Sequence, residues 1–307
     1  MKFRIGLLAI LSLILILRGS EAFAQDESKR SPAITTGTLS PLKMRSIGPA
    51  LMSGRIADIA IDAKQPNTWY VAAGSGNLWK TINAGTTWKP IFERYGSYSI
   101  GCIALDPRDR DTLWVGTGEN VGGRHVGYGD GIYVSHDGGQ TFVNKGLKNS
   151  EHLSKIIIHP EDSQTLFVAS QGPLWSSGGE RGLYKSTDGG ATWRAVLTRG
   201  PWTGVTDVVM DPKNPNILFA ATHQRHRTVY GLINGGPESG IHKSVDGGET
   251  WVELKSGLPG ADKGKMSIAI SPQKSNVVYA AIELAGPTGG VWPVSYTHLT
   301  LPTIRLV

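Results

Sequence analysis

The chain has one cysteine, Cys102, in 307 residues, so no internal disulfide framework is possible and packing and hydrogen bonds must hold the fold. It has no run of Lys and Arg, which excludes the phosphate-neutralising stripe of a nucleic-acid-binding surface. The formal charge of +6 overstates even this modest basicity, because Lys2, Arg4 and Arg18, partly offset by Glu21, sit in an N-terminal leader and Arg305 among the last residues. The longest apolar run, Ile5 to Leu17, falls short of the ~20 residues of a membrane-spanning helix. Also lacking are a Gly-Lys-Ser or Gly-Lys-Thr phosphate loop, a Gly-x-Ser-x-Gly elbow and a Cys/His nucleophile pair. Nothing in the sequence calls for a cofactor.

What the chain has in quantity is glycine, 40 residues, with 17 Pro and 9 Trp, the composition of a loop-dense, aromatic-anchored all-β protein. One phrase is written four times: Lys80-Thr-Ile-Asn-Ala-Gly-Thr-Thr-Trp88, Val134-Ser-His-Asp-Gly-Gly-Gln-Thr-Phe142, Lys185-Ser-Thr-Asp-Gly-Gly-Ala-Thr-Trp193 and Lys243-Ser-Val-Asp-Gly-Gly-Glu-Thr-Trp251. Asn83, Asp137, Asp188 and Asp246 mark its period of roughly 50 to 60 residues, which suits one four-stranded propeller blade per copy. A second phrase keeps the same register: Ile59-Ala-Ile-Asp62, Ile103-Ala-Leu-Asp-Pro107, Ile156-Ile-Ile-His-Pro160, Val208-Val-Met-Asp-Pro212 and Ile268-Ala-Ile-Ser-Pro272. The expected fold is therefore an all-β propeller of four-stranded antiparallel blades, about four and a half of them, with the ring incomplete. In the repeated turn an acidic side chain can accept hydrogen bonds from turn amides while Gly-Gly supplies backbone angles closed to other residues. Those four residues are read as structural.

Lys2 and Arg4 before the apolar run, with Ala22-Phe-Ala24 after it, have the three-part layout of a secretory signal peptide over 1–24. The expected organisation continues with a flexible lead-in over 25–40, a truncated propeller over 41–292 and a non-native tail over 293–307. Val294-Ser-Tyr-Thr-His-Leu-Thr-Leu-Pro-Thr303 breaks the repeat and resembles a translated sequencing adapter. Export to the periplasm or the medium follows from the leader, with no integral membrane span in the mature fragment.

A site is expected where the segments leading into the innermost strands meet the next inter-strand loops. Blade one has a minimal loop there, Gly74-Ser-Gly76, whereas the corresponding loops run from Gly118 to Gly131, from Gln171 to Arg181 and from Thr222 to Glu238. Loops longer than a scaffold needs tend to carry function. Ligand-binding candidates on this face are Arg55, Arg124, His125, His152, Trp175, Arg181, Trp202 and Arg225, with Tyr98 and Tyr128 beside them. Glycoside hydrolysis would need two carboxylates flanking a sugar, and Glu119, Asp130, Glu151 and Asp207 are available. Each could equally be half of an ion pair with Arg124, Arg181 or Arg225. His223-Gln-Arg-His226, with His125 or His152, is a weak metal pattern, and no metal is assigned.

The repeated turn resembles the Asp-box, or bacterial neuraminidase repeat, with Asn83-Ala84 a degenerate copy. Taken with Met44-Arg-Ser-Ile-Gly-Pro49, Gly96-Ser-Tyr-Ser-Ile-Gly101, Leu147-Lys-Asn-Ser-Glu-His152, Gly172-Pro-Leu-Trp175 and Asn234-Gly-Gly-Pro-Glu-Ser239, it makes residues 41–292 resemble secreted bacterial repeat proteins related to the sortilin N-terminal propeller, often labelled glycosyl hydrolases. That resemblance implies a large propeller that binds a protein, peptide or glycan through channel-facing loops. A thinner similarity to xyloglucan hydrolases built from paired propellers implies the alternative, a sialidase-like or xyloglucanase-like glycoside hydrolase; no catalytic aspartate of theirs can be matched here. The sialidase Arg-Ile-Pro signature is absent.

Overall fold

The computed structural model describes residues 55–295. The expected leader, the lead-in and the part of the expected tail at 296–307 lie outside this range. Five antiparallel sheets follow one another in chain order. Blade one holds β1 (Ile56–Ile61), β2 (Trp69–Ala73), β3 (Asn77–Thr81) and β4 (Lys89–Pro90). Blade two holds β5 (Ile100–Leu105), β6 (Leu113–Thr117), β7 (Ile132–Ser135) and β8 (Val143–Asn144), and blade three β9 (Leu153–His159), β10 (Asp162–Ser170), β11 (Gly182–Ser186) and β12 (Arg194–Leu197). Blade four holds β13 (Thr203–Met210), β14 (Leu218–Arg227), β16 (Gly240–Ser244) and β17 (Val252–Leu254), with β15 (Leu232–Asn234) folded back on the long β14. Blade five has three strands, β18 (Lys263–Ile270), β19 (Val277–Leu284) and β20 (Gly290–Ser295). β20 carries the pairing past the expected boundary at 292: Pro293, Val294 and Ser295 face Tyr279, Val278 and Val277. This is the incomplete propeller of four-stranded blades that the repeats imply.

The apolar alternation of each strand fills the space between successive blades. Tyr70, Ala72 and Leu78 of blade one pack with Ile103, Leu113 and Val115 of blade two. Cys102 and Trp114 pack with Leu153, Ile156 and Leu166, Phe167 and Leu183 with Val205, Val208 and Leu218, and Phe219 and Ile241 with Met266, Ile268 and Val278. Burial pushes the Cys102 thiol well above its ordinary range, which leaves it a small apolar side chain.

The repeated turn fastens these layers together. Within it Asp137 Oδ1 accepts from the Ser135 hydroxyl at 2.7 Å and from the amides of Gln140 and Thr141 at 2.8 and 2.9 Å, while Oδ2 accepts from the Thr141 hydroxyl at 2.6 Å. Asp188 and Asp246 repeat the pattern. Asn83 keeps it by a swap: its oxygen accepts from Thr81 and the Thr87 amide, and its NH2 donates to the Thr87 hydroxyl at 2.9 Å. In the turns of blades two, three and four the second glycine lies on an aromatic ring of the preceding blade. A Cβ on Gly190 would sit 2.7 Å from Trp114, and one on Gly248 would sit 2.5 Å from Phe167; Gly139 lies similarly against Tyr70 and Ile91. Lysines close the latch from the preceding blade, with Lys80 Nζ donating to Gly138 O at 2.7 Å and Lys185 Nζ to Gly247 O at 2.8 Å.

Because these glycines combine positive φ with van der Waals contact, Gly190→Ala and Gly248→Ala are expected to lower unfolding free energy by about 1–3 kcal/mol each. Gly257 also has positive φ, but a Cβ there would meet nothing within 4 Å, so Gly257→Ala is expected to cost about 1 kcal/mol. Urea unfolding midpoints measure the difference; equal losses at all three positions would remove the latch from the stability of the fold.

Candidate functional site

The loop after β6 dominates one face. Its stems are fixed by backbone contacts: Gly118 N donates to Ser99 O at 2.7 Å, Glu119 N to Gly127 O at 3.0 Å and Gly129 N to Glu151 O at 2.7 Å. Gly118 has φ +89° and its missing Cβ would overlap Glu151 O, so only glycine allows the chain to leave the strand there. The tip then reaches blades four and five as a strap. Lys265 Nζ donates to Asn120 O at 2.8 Å and Oδ1 at 3.0 Å, Arg225 Nη1 to Val121 O at 3.3 Å, and Arg227 Nε to Gly122 O at 2.8 Å. Gln171 of blade three bonds the Asn120 side chain, and the exposed Arg124 reaches Val229 O at 3.1 Å.

The four candidate carboxylates have separate surroundings. Glu119 is buried and ion-paired with Arg55, with weaker contacts from Ser75 Oγ and Gly127 N at 3.4 Å; its partner is Arg55 rather than Arg124, Arg181 or Arg225. Arg55 also approaches the exposed His125 at 3.5 Å. Asp130 is half-buried and accepts from the Tyr133 hydroxyl at 2.5 Å and from Thr117 at 3.3 Å. Asp207, expected to face the channel, is instead buried between blades. Its Oδ2 accepts from the Ile268 amide and the Ser267 hydroxyl, both at 2.8 Å, and its Oδ1 from the Val208 amide at 2.9 Å. Asp58 holds Ile103 N at 3.0 Å from the same place in blade one. Asp207 is thus an inter-blade clamp, and the physical reason is a register shift between Val205 and Asp207 that turns the side chain toward β18. Glu151, half-buried with φ +54°, is left without such ties; burial raises its pKa although Arg181 and Arg225 pull it down.

Behind Glu151 lies a group of cations. Arg225 is 2% exposed and Arg181 6%. Arg181 donates to the carbonyls of Gly178, Gln171, Pro173 and Ser176, and Arg225 to those of Val121 and Gly172. All these acceptors are neutral, and the ion pairs found among the described residues involve neither arginine nor Lys265. Arg225 Nε is buried without a hydrogen-bond partner, and the buried rings of His152 and His223 lie beside it. Desolvation lowers Arg225 to about 9, Arg181 to about 10 and Lys265 to about 8. Desolvation, with the Arg225 charge second, holds His152 and His223 down at about 3. Around this group, Trp202 stacks on His226 with centroids 3.7 Å apart and lies 5.8 Å from the Arg181 guanidinium, and Tyr128 packs 5.7 Å from His152. Trp175 is half-buried; Tyr98 and Tyr128 are more than half exposed.

The structure therefore brings His152, Arg181, Trp202 and Arg225 together and sets Arg55 with Glu119 and His125 apart from Asp207. Sequence reasoning missed Lys265, Asn120 and Gln171. Nothing in the repeat marks Lys265, which occupies an ordinary strand position. No group of three or more His, Cys, Asp or Glu side chains among the described residues is placed to hold a metal, and no helix there is long and apolar enough to cross a membrane.

Two outcomes are expected. Asp207→Asn loses a charged acceptor serving three donors and lowers stability by about 1–3 kcal/mol, read by chemical unfolding. The buried histidines have native pKa values near 3 against about 6.5 unfolded, so between these values the unfolded state binds more protons. Stability is therefore complete above pH ~6.5 and falls as pH drops toward 3. His223→Gln should flatten this slope in unfolding free energy measured from pH 7 to 4.5; a flat wild-type profile would place charged histidines in the native state.

Comparison with known proteins agrees with this architecture. A xyloglucanase of Acetivibrio thermocellus is 24% identical over 268 residues, which are 76% of this chain and 29% of that protein. A xyloglucanase of Hypocrea jecorina is 27% identical over 236 residues, 65% of this chain and 26% of its own length. Among solved structures, the GH74 xyloglucanase from Xanthomonas campestris superposes with TM-score 0.58 at 18% identity, covering 80% of this chain and 37% of the other. The GH74 enzyme of Niastella koreensis superposes with TM-score 0.54 at 23% identity, covering 76% and 35%. The chain thus spans under a third of the length of these curated relatives, and the structural likeness is one of fold. The profile described as sortilin, neurotensin receptor 3, matches residues 130–284, half of the chain, from within blade two to the end of β19; by its sequence and by its bladed fold, the protein belongs to the Sortilin-Vps10 family.

Proposed function

We propose that this is an exported glycan-binding propeller, in which the face built from the loops of blades two to four recognises an oligosaccharide without cleaving it. The observation that carries the reading is the state of the carboxylates. Glu119 is neutralised by Arg55, Asp207 clamps two blades and Asp130 is tied to Tyr133 and Thr117, so three of the four cannot serve as a free acid and base pair flanking a sugar. The same face offers aromatic rings of the kind that stack on sugars: Tyr98, Tyr128, Trp175 and Trp202. The xyloglucanase relatives support a saccharide as the ligand class, and the leader supports export to the periplasm or the medium.

Hydrolysis is the second reading. It is favoured by those same relatives and by Glu151, whose raised pKa suits a general acid. Under the binding reading, Tyr98→Ala, Tyr128→Ala and Trp175→Ala each weaken binding of a xyloglucan oligosaccharide about tenfold, the weight of one stacking contact. Thermal midpoints should move little for the exposed Tyr98 and Tyr128. Calorimetric titration and thermal unfolding check this. Release of reducing ends from xyloglucan, abolished by Glu151→Gln, would overturn it in favour of the hydrolase.

A further inference from the structure

Arg181 and Arg225 are buried and Lys265 beside them is half-buried, and among the described residues none of the three cationic groups has an anionic hydrogen-bonding partner. Removing a guanidinium from water costs several kcal/mol unless an opposite charge compensates it, and neutral carbonyls satisfy its donors without cancelling its charge. Glu151 is the carboxylate that acts on both arginines, and it is half-buried beside them without an ion pair. Asp207 and Glu283 act on Lys265, but Asp207 is committed to Ile268 and Ser267 and Glu283 to Asn234 and the Lys265 amide. Arg225 Nε adds a buried donor with nothing to bond. Such a cluster is complementary to a negative group.

The cover over the cluster is bonded to its cations through uncharged groups alone. The strap at Asn120 to Gly122 is held from blades four and five by neutral carbonyl acceptors, and Gly122 and Gly123 at its tip leave the backbone there free to turn, whereas Gly118, Gly127 and Gly129 pack closely and fix its stems. A carboxylate or sulfate oxygen accepts from a cation roughly twice as strongly as a neutral carbonyl does, so it can replace Val121 O on Arg225 and Asn120 O on Lys265. The rings of Trp202 beside Arg181 and Tyr128 beside His152 border the same place, which joins a flat apolar surface to an anion site.

We propose that this cluster is a binding site for the acidic group of a saccharide, a uronate carboxylate or a sugar sulfate, which displaces the blade-two strap from Arg225 and Lys265. The proposal rests on the glycan-binding reading and makes it selective for charge.

The test is calorimetric titration of the whole chain with an oligogalacturonate and with a neutral xyloglucan oligosaccharide of similar length. The acidic oligomer should bind at least tenfold more tightly, with an affinity that falls as salt rises. Lys265→Met and Arg225→Gln should each weaken it about tenfold, the loss of one charge-assisted hydrogen bond. Lys265 is only half-buried, so its variant remains informative if Arg225→Gln does not fold. Amide exchange at Val121 to Gly123 should quicken in the acidic complex. Equal affinity for the two sugars, acidic binding indifferent to both substitutions, or tighter binding of an acidic peptide would overturn the inference while the neutral sugar still binds. Failure of both sugars to bind would overturn the glycan reading itself.

Discussion

The structure depends on the contact between a glycine pair and the aromatic ring one blade earlier. A propeller blade is a small sheet with two apolar faces, too small to be stable alone, and it needs a rule that sets its angle to its neighbour. Here the rule is steric and directional: the turn of each later blade presents bare backbone to Tyr70, Trp114 or Phe167, and the carboxylate of that turn keeps the backbone in shape. Phe219 and Tyr279 continue the same strand position in blades four and five, facing Val209 and Ala269 as Tyr70 faces Ala60. Desolvated apolar contact supplies the energy between blades, and the turns supply the alignment.

With alignment handled at the rim, the residues near the axis are free to vary. Asp58 and Asp207 use their place for inter-blade clamps, whereas Cys102 and Lys155 stand at the equivalent places in blades two and three. Ser154 supplies a different tie in blade three, donating to Val205 O at 2.9 Å. The loops above them are correspondingly unequal, from the three residues at Gly74 to the long excursions of blades two and four. That inequality is what allows the blade-two loop to cross toward blades four and five and bury a set of cations.

The fold was legible because it is written repeatedly. Five copies of a strand phrase and four of a turn leave little choice of period, and even the swap of Asn83 for Asp preserves chemistry that can be anticipated from an amide. The convergence of the three long loops on one face was also legible, and it brought His152, Arg181, Trp202 and Arg225 together. The pairings within that face were not. Whether Glu119 meets Arg55 or Arg124 depends on distances across a curved array, which periodicity does not encode. Asp207 was misread although the signal existed: it stands just before the repeated apolar phrase, as Asp58 does, and a residue tied to the repeat serves the repeat. Lys265 carried no signal, because a lysine in a half-exposed strand is common and its meaning comes from Asn120 on another blade.

The latch has an orientation in time as well as in space. In every case described, the ring lies earlier in the chain than the glycines that cap it: Tyr70 before Gly139, Trp114 before Gly190, Phe167 before Gly248. During synthesis from the N-terminus each blade emerges onto a receptor that has already been made, so order can spread along the nascent chain blade by blade, without waiting for a distant segment.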